Sequence, residues 1–303
     1  MLTAGARWIY AQPYLLLVLT TMIWGGNAVA GRLAVGHVSP MVVTALRWVI
    51  VVSLLALLGR RRILRDWPHL QGRWLSLGLM GALGFTGFNA LFYVAAHHTS
   101  AVNLGLIQGI VPGLVLLGSL LAYGTPIRPL QILGLAVALG GVAVAVTRGE
   151  VEVMRHLAFN LGDLCMIGAS LFYAGYTVAL RRRPPAEPLT IFAALAFVAC
   201  LTSLPLLAWE VGSGAVQWPD PFGWAVLAFI AIMPSLVSQL LFMRGVELIG
   251  PGRAGLFVNL VPIFAALLGV VILGETFALY HAVALGLVLG GIGLAESGRR
   301  TLG

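Results

Sequence analysis

Ten apolar runs of roughly membrane length follow one another along the chain, with only short connections between them. A helix needs about 20 predominantly apolar residues to cross the hydrocarbon core of a bilayer. We therefore predict an all-α integral membrane protein without a soluble domain. The ten spans are expected at roughly 13–35, 40–58, 74–96, 100–123, 128–147, 159–180, 188–208, 222–244, 252–273 and 279–296.

The composition supports a membrane protein and excludes other classes. Apolar residues make up 60% of the chain and charged residues 9%, and the mean hydropathy is +0.99. The net charge of +8 could indicate a nucleic-acid partner, but all 18 basic residues are arginines, placed almost wholly between the apolar runs. We expect no nucleic acid, and membrane lipid as the surrounding partner. Cys165 and Cys200 fall inside apolar runs and are expected to be small buried side chains rather than a disulfide.

The arginines predict the orientation in the membrane. An even number of spans places both termini on one side, and 14 of the 18 arginines fall on that side. The opposite connections hold Arg148 and Arg155, close to Glu150 and Glu152. Because Lys and Arg are retained in cytoplasmic loops, both termini are expected to be cytoplasmic.

The second half of the chain repeats the first. At an offset of 150 residues, Gly105 and Leu106 align with Gly255 and Leu256, and Pro112 aligns with Pro262. We expect a first repeat at 1–147, an outer linker at 148–158 and a second repeat at 159–303. Five spans per repeat force the halves to enter the membrane in opposite senses, so the repeats should be inverted, as in many transporters that work by alternating access.

Proline interrupts the fourth and ninth runs near their middles. Pro112 and Pro262 each lack the N–H that the helix needs and clash with the carbonyl one turn back. A kink at membrane depth is tolerated where protein or a water-filled cavity receives the freed carbonyl. Both prolines are therefore candidate hinges.

Several short motifs lie in or next to the spans: Ile23-Trp24-Gly25-Gly26-Asn27, Ala45-Leu46-Arg47, the Gly-Leu-x-x-x-x-x-Pro repeats at Gly105 and Gly255, Leu273-Gly274-Glu275 and Leu289-Gly290-Gly291. These motifs resemble those of the EamA-type members of the drug/metabolite transporter superfamily. The resemblance covers essentially the whole chain and is greatest to the aromatic amino-acid exporters, whose members also pass methyl viologen. It implies a metabolite exporter. One departure is Gly124-Thr125, where the second half has Gly274-Glu275.

Amides and aromatic rings at membrane depth are the candidate substrate ligands. Polar side chains there are costly and usually face the bundle interior or an aqueous cavity. Amides can bind both the ammonium and the carboxylate of an amino acid, and rings stack on an apolar or aromatic side chain. The candidates are Trp24, Asn27, Asn89, Tyr93, Gln108, Tyr173, Tyr176, Gln239, Phe242 and Asn259. Hydrogen bonding between helices is the alternative for the amides and stays open for Asn89 and Gln239.

The charges inside the spans distinguish the possible cargoes. No Asp or Glu falls in the central third of any predicted span, so a proton-coupled multidrug or cation exporter, which would use a buried acid, is the alternative rather than the first choice. Arg47 lies inside the second run. It is expected either to extend to the interface or to pair across helices with carbonyls or an acid such as Asp163, and direct contact with a substrate carboxylate is a third alternative.

We predict a multi-pass transporter of the bacterial inner membrane that exports neutral or aromatic amino acids, with methyl viologen as a possible further substrate. No catalytic motif, metal-ligand pair or phosphate-binding loop is found in the sequence, so the protein is expected to be no enzyme, with no cofactor and no metal. It should be a monomer or a weak dimer.

Overall fold

A computed structural model describes residues 8–99, 101–155, 159–273 and 278–297. Within these ranges all regular secondary structure is helical, and ten helices are long and apolar enough to cross a membrane. They are α1 (Pro13–Gly31), α2 (Pro40–Leu58), α3 (Trp74–Ala95), α4 (Leu104–Tyr123), α5 (Pro129–Val146), α6 (Leu161–Arg182), α7 (Pro188–Gly212), α8 (Pro221–Ile249), α9 (Pro251–Ile272) and α10 (Leu279–Ser297). The predicted all-α fold with ten candidate spans is confirmed. Gly274 and Glu275 lie outside the described residues.

Short helices occupy two of the connections, at Arg60–Asp66 and Val151–Arg155. Proline begins six of the ten spanning helices, α1, α2, α5, α7, α8 and α9. Proline suits this position because its φ is already helical and its missing N–H has no partner in the first turn. Glycine in the left-handed region ends α4 at Gly124 (φ 62°). These local signals explain why the connections are short and sharply defined.

Two of the spanning helices contain a π-helical segment at matching places. The segments are Ala82–Gly87 in α3 and Ala231–Val237 in α8, which correspond at the 150-residue offset of the sequence repeat. In α8 the cause is local. Pro234 has no N–H to donate to the carbonyl of Ile230, and the hydroxyl of Ser235 donates to that oxygen instead, at 2.7 Å. Such segments occur often at functional sites.

The helices that carry Pro112 and Pro262 are also interrupted. In α4 the helix ends at Gly109 and begins again at Val111, and in α9 a 3₁₀ turn at Phe257–Asn259 separates two α-helical pieces. The interruption at Ile110 lies two residues before Pro112, and the 3₁₀ turn ends three residues before Pro262. A 3₁₀ turn within a helix often marks a hinge or a strained segment.

Small residues bring α5 and α10 into backbone contact. A Cβ added to Gly134 would lie 2.4 Å from the carbonyl oxygen of Gly291, and one added to Gly291 would lie 2.4 Å from that of Gly134. About two turns further along α5, a Cβ on Gly141 would lie 2.8 Å from the carbonyl oxygen of Ala284. Since later residues of α5 meet earlier residues of α10, the two helices run antiparallel.

The bundle has two ends, which we name the terminal face and the opposite face. The terminal face carries both ends of the described chain, and ion pairs connect its helices. Arg253 of α9 pairs with Glu296 of α10, which accepts a hydrogen bond of 2.7 Å from the hydroxyl of Tyr14 in α1. The opposite face carries the last described residues of α1, α3, α5, α7 and α9.

Candidate functional site

Five rings from four helices form an aromatic cluster in the middle of the bundle. We define it by Trp24 of α1, Phe88 of α3, Tyr173 and Tyr176 of α6, and Phe242 of α8. The Trp24 ring centre lies 5.7 Å from that of Tyr173, edge to face, and 5.2 Å from that of Phe242. Tyr173 in turn lies 5.4 Å from Phe88 and 5.8 Å from Tyr176. These separations and tilts are those in which aromatic rings attract one another.

Helical spacing places these side chains on one side of each helix. Tyr173 and Tyr176 are three residues apart on α6, and Gln239 and Phe242 have the same spacing on α8. The Tyr176 hydroxyl donates to Oε1 of Gln239 at 3.5 Å, which ties the two helices together beside the cluster. The structure therefore brings together five of the residues named from the sequence: Trp24, Tyr173, Tyr176, Gln239 and Phe242.

Two asparagines on the spanning helices have buried side-chain polar atoms without hydrogen-bond partners among the described residues. The Oδ1 atom of Asn27, three residues after Trp24 on α1, is buried and accepts no hydrogen bond among the described residues. Asn259, in the 3₁₀ turn of α9, is fully buried with both side-chain polar atoms unpaired. Unpaired buried polar atoms cost about 1–3 kcal/mol each, so they mark places where water or a ligand is expected.

Gln108 lies directly before the interruption in α4 and is half-buried. In the part of the chain that the structure describes, no hydrogen bond or ring contact joins Gln108 or Asn259 to the aromatic cluster. Both residues lie instead at the paired interruptions of α4 and α9. Their position favours a role at the interruptions over direct contact with the rings.

A polar layer lies beside the aromatic cluster and is centred on Arg47 of α2. Nε of Arg47 donates to the hydroxyl of Ser235 at 2.8 Å, and Nη1 donates to Oδ1 of Asn89 at 3.3 Å. The hydroxyl of Tyr93 is a further polar group against the guanidinium. We define this layer by Arg47, Asn89, Tyr93 and Ser235. It joins α2 to the π-helical segment of α8 and to α3 at Asn89, two residues beyond the π-helical segment of that helix.

Arg47 pairs across helices, as one of the expected alternatives has it, with the side-chain carbonyl of Asn89 and with the hydroxyl of Ser235, but it neither extends to the interface nor pairs with Asp163. Arg47 is 5% exposed, and Asp163 belongs to a different cluster at the opposite face. Its Oδ1 accepts from the Thr99 hydroxyl at 2.6 Å, and its Oδ2 accepts from the backbone N–H of Asn160 at 2.9 Å. Asp163 and Asn160 form a capping box at the start of α6, so this carboxylate satisfies a helix N-terminus.

A buried carboxylate closes the opposite face beyond the polar layer. Glu210, at the end of α7, accepts from the Ser39 hydroxyl at 2.6 Å and from the backbone N–H groups of Met41 and Val42, each at 3.2 Å. It caps the N-terminus of α2 from another helix, where the helix dipole also favours negative charge. Glu210 lies two residues beyond the predicted end of the seventh span, so hydropathy does not predict that it is buried.

The connections on either side of Glu210 are bonded to each other. The backbone N–H of Ser39 donates to the Gln217 carbonyl at 3.0 Å, and His37 pairs with Asp220 at 2.7 Å. The backbone N–H of Gly223 and the side chain of His37 hold the pKa of the Asp220 carboxyl below its usual range. These contacts close the opposite face between α1, α2, α7 and α8.

The terminal face has a cavity of about 490 Å³. Its lining includes Leu180 and Val246, each one helical turn from a member of the aromatic cluster, Tyr176 and Phe242 respectively. It also includes Leu116, one turn beyond Pro112 on α4. The aromatic cluster therefore lies between a cavity at the terminal face and a closed opposite face.

Removing the Glu210 carboxylate should weaken the closure of the opposite face. Glu210→Ala leaves two backbone N–H groups and the Ser39 hydroxyl without their acceptor, which should destabilise the fold by about 2–3 kcal/mol. We expect a lower thermal unfolding midpoint in detergent, followed by intrinsic tryptophan fluorescence. Glu187→Ala is the control, because Glu187 faces Arg65 at 3.7 Å with 47% of its side chain exposed and should contribute little. Equal midpoints for the two variants would show that Glu210 is not a structural cap.

The fold and the site define a multi-pass α-helical membrane protein with an enclosed aromatic site between its two halves. A family model described as the EamA-like transporter family matches residues 12–147 and again 160–296. The chain belongs to the EamA-like transporter family.

Relatives and solved structures agree with this assignment. The uncharacterized transporter YyaM of Bacillus subtilis (strain 168) is 27% identical over 296 residues, which cover 94% of this chain and 93% of the relative. The uncharacterized inner membrane transporter YedA of Escherichia coli (strain K12) is 23% identical over 92% of this chain and 88% of its own. A crystal structure with 21% identity superimposes with a TM-score of 0.80 over 96% of this chain and 98% of that one, and it supports the fold alone. The relatives are named as transporters, which is consistent with a protein that is not an enzyme.

Proposed function

We propose that this protein exports small metabolites across a bacterial inner membrane and that neutral and aromatic amino acids are its main cargo. The observation that carries the proposal is the aromatic cluster. It offers ring faces from α1, α3, α6 and α8, with unpaired amide oxygen at Asn27 nearby. An aromatic or aliphatic side chain can pack against these rings, and an ammonium group can bind the amide oxygen and the face of Trp24. The resemblance to aromatic amino-acid exporters supports the same cargo.

Alternating access is the proposed mechanism, with two inverted repeats at 1–147 and 159–303 and both termini in the cytoplasm. The contacts of α5 with α10 support the inversion. At the 150-residue offset, Gly134 corresponds to Ala284 and Gly141 corresponds to Gly291. The contact of Gly134 with Gly291 therefore corresponds to the contact of Ala284 with Gly141, and both are present. Contacts that exchange in this way are expected of halves related by a two-fold axis. The arrangement of arginines supports the orientation, and the relative YedA is itself an inner membrane transporter.

The described conformation suits a cytoplasm-facing state of such a cycle. In this orientation the cavity at the terminal face faces the cytoplasm, and the hydrogen bonds of Glu210 and His37 close the outer side.

The interruptions at Pro112 and Pro262 are the proposed hinges. They leave backbone groups outside the regular helical hydrogen bonding, beside the cavity in α4 and at the matching place in α9. Pro112→Ala combined with Pro262→Ala should slow transport while leaving the thermal unfolding midpoint in place. Unchanged rates would remove the interruptions from the mechanism.

The test of the proposed function is uptake of radiolabelled phenylalanine, leucine, arginine and methyl viologen into proteoliposomes, with and without an imposed pH gradient. We expect saturable uptake of phenylalanine and leucine that does not require the gradient, since no acidic residue among the described ones lies in the middle third of a span. Empty liposomes are the control. Transport of the cations alone, and only with a proton gradient, would favour a proton-coupled multidrug or cation exporter instead.

A further inference from the structure

We propose that Arg47 binds the carboxylate of the transported amino acid. The inference rests on the proposed function and assigns the group that recognises one end of the substrate. The starting observation is a buried guanidinium in the membrane-spanning part of the protein whose partners among the described residues are neutral oxygens, those of Ser235, Asn89 and Tyr93.

The charge on Arg47 is not neutralised within the described residues. No carboxylate in these ranges lies within 4.0 Å of its guanidinium, and Tyr93 is the further polar group against it. A buried charge is costly unless an opposite charge accompanies it. A neutral side chain could also bridge the hydroxyl of Ser235 and the amide of Asn89. Packing between the helices therefore does not explain why this residue is an arginine. A substrate anion would supply the missing charge.

The guanidinium has donors left for that anion. Arginine carries five N–H donors, and Ser235, Asn89 and Tyr93 can occupy three of them, which leaves two. A planar guanidinium matches the two oxygens of a carboxylate, and hydrogen bonds between charged groups are about twice as strong as neutral ones. The conditions for binding a carboxylate through paired hydrogen bonds are therefore present.

Arg47 is also within reach of a substrate held in the aromatic cluster. Its partner Asn89 directly follows Phe88, whose ring lies 5.4 Å from that of Tyr173. Its other partner Ser235 lies one helical turn from Gln239, which binds the Tyr176 hydroxyl. One turn is a rise of about 5.4 Å, comparable with the separation between the carboxylate and the ring of phenylalanine. An aromatic amino acid can thus place its ring in the cluster and its carboxylate against Arg47.

The test compares two competitors that differ at the carboxyl group. Phenylalanine and phenylalaninamide share the ring and the amino group, but only phenylalanine carries a carboxylate. Uptake is measured at mildly acidic pH, where both amino groups are protonated. Each is titrated against uptake of radiolabelled phenylalanine by the wild type and by Arg47→Gln, Arg47→Lys and Arg155→Gln in proteoliposomes. Arg155 is the control, because it is 71% exposed at the opposite face and pairs with Glu152. Thermal unfolding in detergent checks that each variant is folded.

We expect the wild type and Arg155→Gln to favour phenylalanine over the amide by about tenfold or more, as a charge-assisted hydrogen bond provides. Arg47→Gln should raise the inhibitory concentration of phenylalanine about tenfold and change that of the amide less than twofold. Arg47→Lys should restore part of the preference, which a purely structural role does not predict.

If Arg47→Gln fails to fold, the wild type and Arg47→Lys decide, through the ratio of the inhibitory concentrations of the amide and of phenylalanine. A wild type without preference for the acid would overturn the inference. Saturable uptake with an unchanged ratio in folded Arg47→Gln would overturn this inference alone, whereas no amino-acid uptake by the wild type would overturn the proposed function as well.

Discussion

Replacement of Gly134 by alanine is expected to destabilise the protein strongly. The added Cβ would lie 2.4 Å from the carbonyl oxygen of Gly291 and 2.7 Å from the backbone nitrogen of Ala295. Both atoms belong to the backbone of α10, so relief requires the two helices to separate along their length. Overpacking of this kind costs about 1–3 kcal/mol, and separation would also lose the neighbouring contacts between α5 and α10. The thermal unfolding midpoint in detergent and the yield of monodisperse protein should both fall.

Gly140 provides the matched control for this substitution on the same helix. A Cβ at Gly140 meets no atom within 4 Å, so Gly140→Ala should leave the unfolding midpoint unchanged or slightly raised, because alanine favours the helix over glycine. The reciprocal change Gly291→Ala should match Gly134→Ala, since its Cβ meets the carbonyl oxygen of Gly134 at the same distance of 2.4 Å. A midpoint for Gly134→Ala equal to that of Gly140→Ala would mean that α5 and α10 do not approach as closely as described.

The spanning helices could be predicted from the sequence because their cause is local. Length and apolarity of a run determine whether a helix can cross a membrane, and the prolines that start α2, α5 and α7 mark the boundaries. The predicted spans agree with the structure to within several residues at most ends. The largest difference is in α8, which ends at Ile249 rather than 244, because the polar residues Arg244 and Glu247 pair with each other at 2.9 Å and continue the helix.

The aromatic part of the site could also be predicted, because spacing along a helix decides which side chains share a face. Trp24 and Asn27 are three residues apart on α1, Tyr173 and Tyr176 have the same spacing on α6, and the rings of Trp24 and Tyr173 meet across the two helices. Spacing does not show which face of one helix meets which face of another. The contact between these two rings therefore could not be predicted from the sequence.

The partners of Arg47 could not be predicted, because they depend on the π-helical segment of α8. One extra residue in a turn rotates all side chains beyond it, and Ser235 lies within that segment. Pro234 is the signal in the sequence that could have indicated the irregularity, since it leaves the Ile230 carbonyl without its usual donor. Glu210 was missed for a different reason. The carboxylate oxygens of Glu210, which accept from Ser39 and Met41, become buried only when the loop before α2 folds over the end of α7. Hydropathy does not report such a tertiary contact.

Truncation of Trp24 is expected to have the largest effect on transport of aromatic substrates. Trp24→Ala removes the ring contacts to Tyr173 and Phe242, at 5.7 and 5.2 Å, together with the face on which a substrate ring would pack. Aromatic pairs contribute about 0.5–1.5 kcal/mol each beyond the burial of their surface. The KM for phenylalanine should therefore rise about tenfold or more, and the KM for leucine should rise less because an aliphatic side chain gains nothing from ring geometry.

Two further variants separate substrate recognition from a general loss of structure. Trp24→Phe keeps a ring face and should retain most of the affinity for phenylalanine. Trp74→Ala removes a tryptophan that is 45% exposed and packs on Trp67 at 5.4 Å, away from the aromatic cluster, so its KM values should equal those of the wild type. KM and maximal uptake rates in proteoliposomes, with unfolding midpoints for each variant, provide the comparison. If Trp24→Ala raised the KM of phenylalanine and leucine by equal factors, the cluster would act as an apolar packing surface, and its rings would not select aromatic cargo.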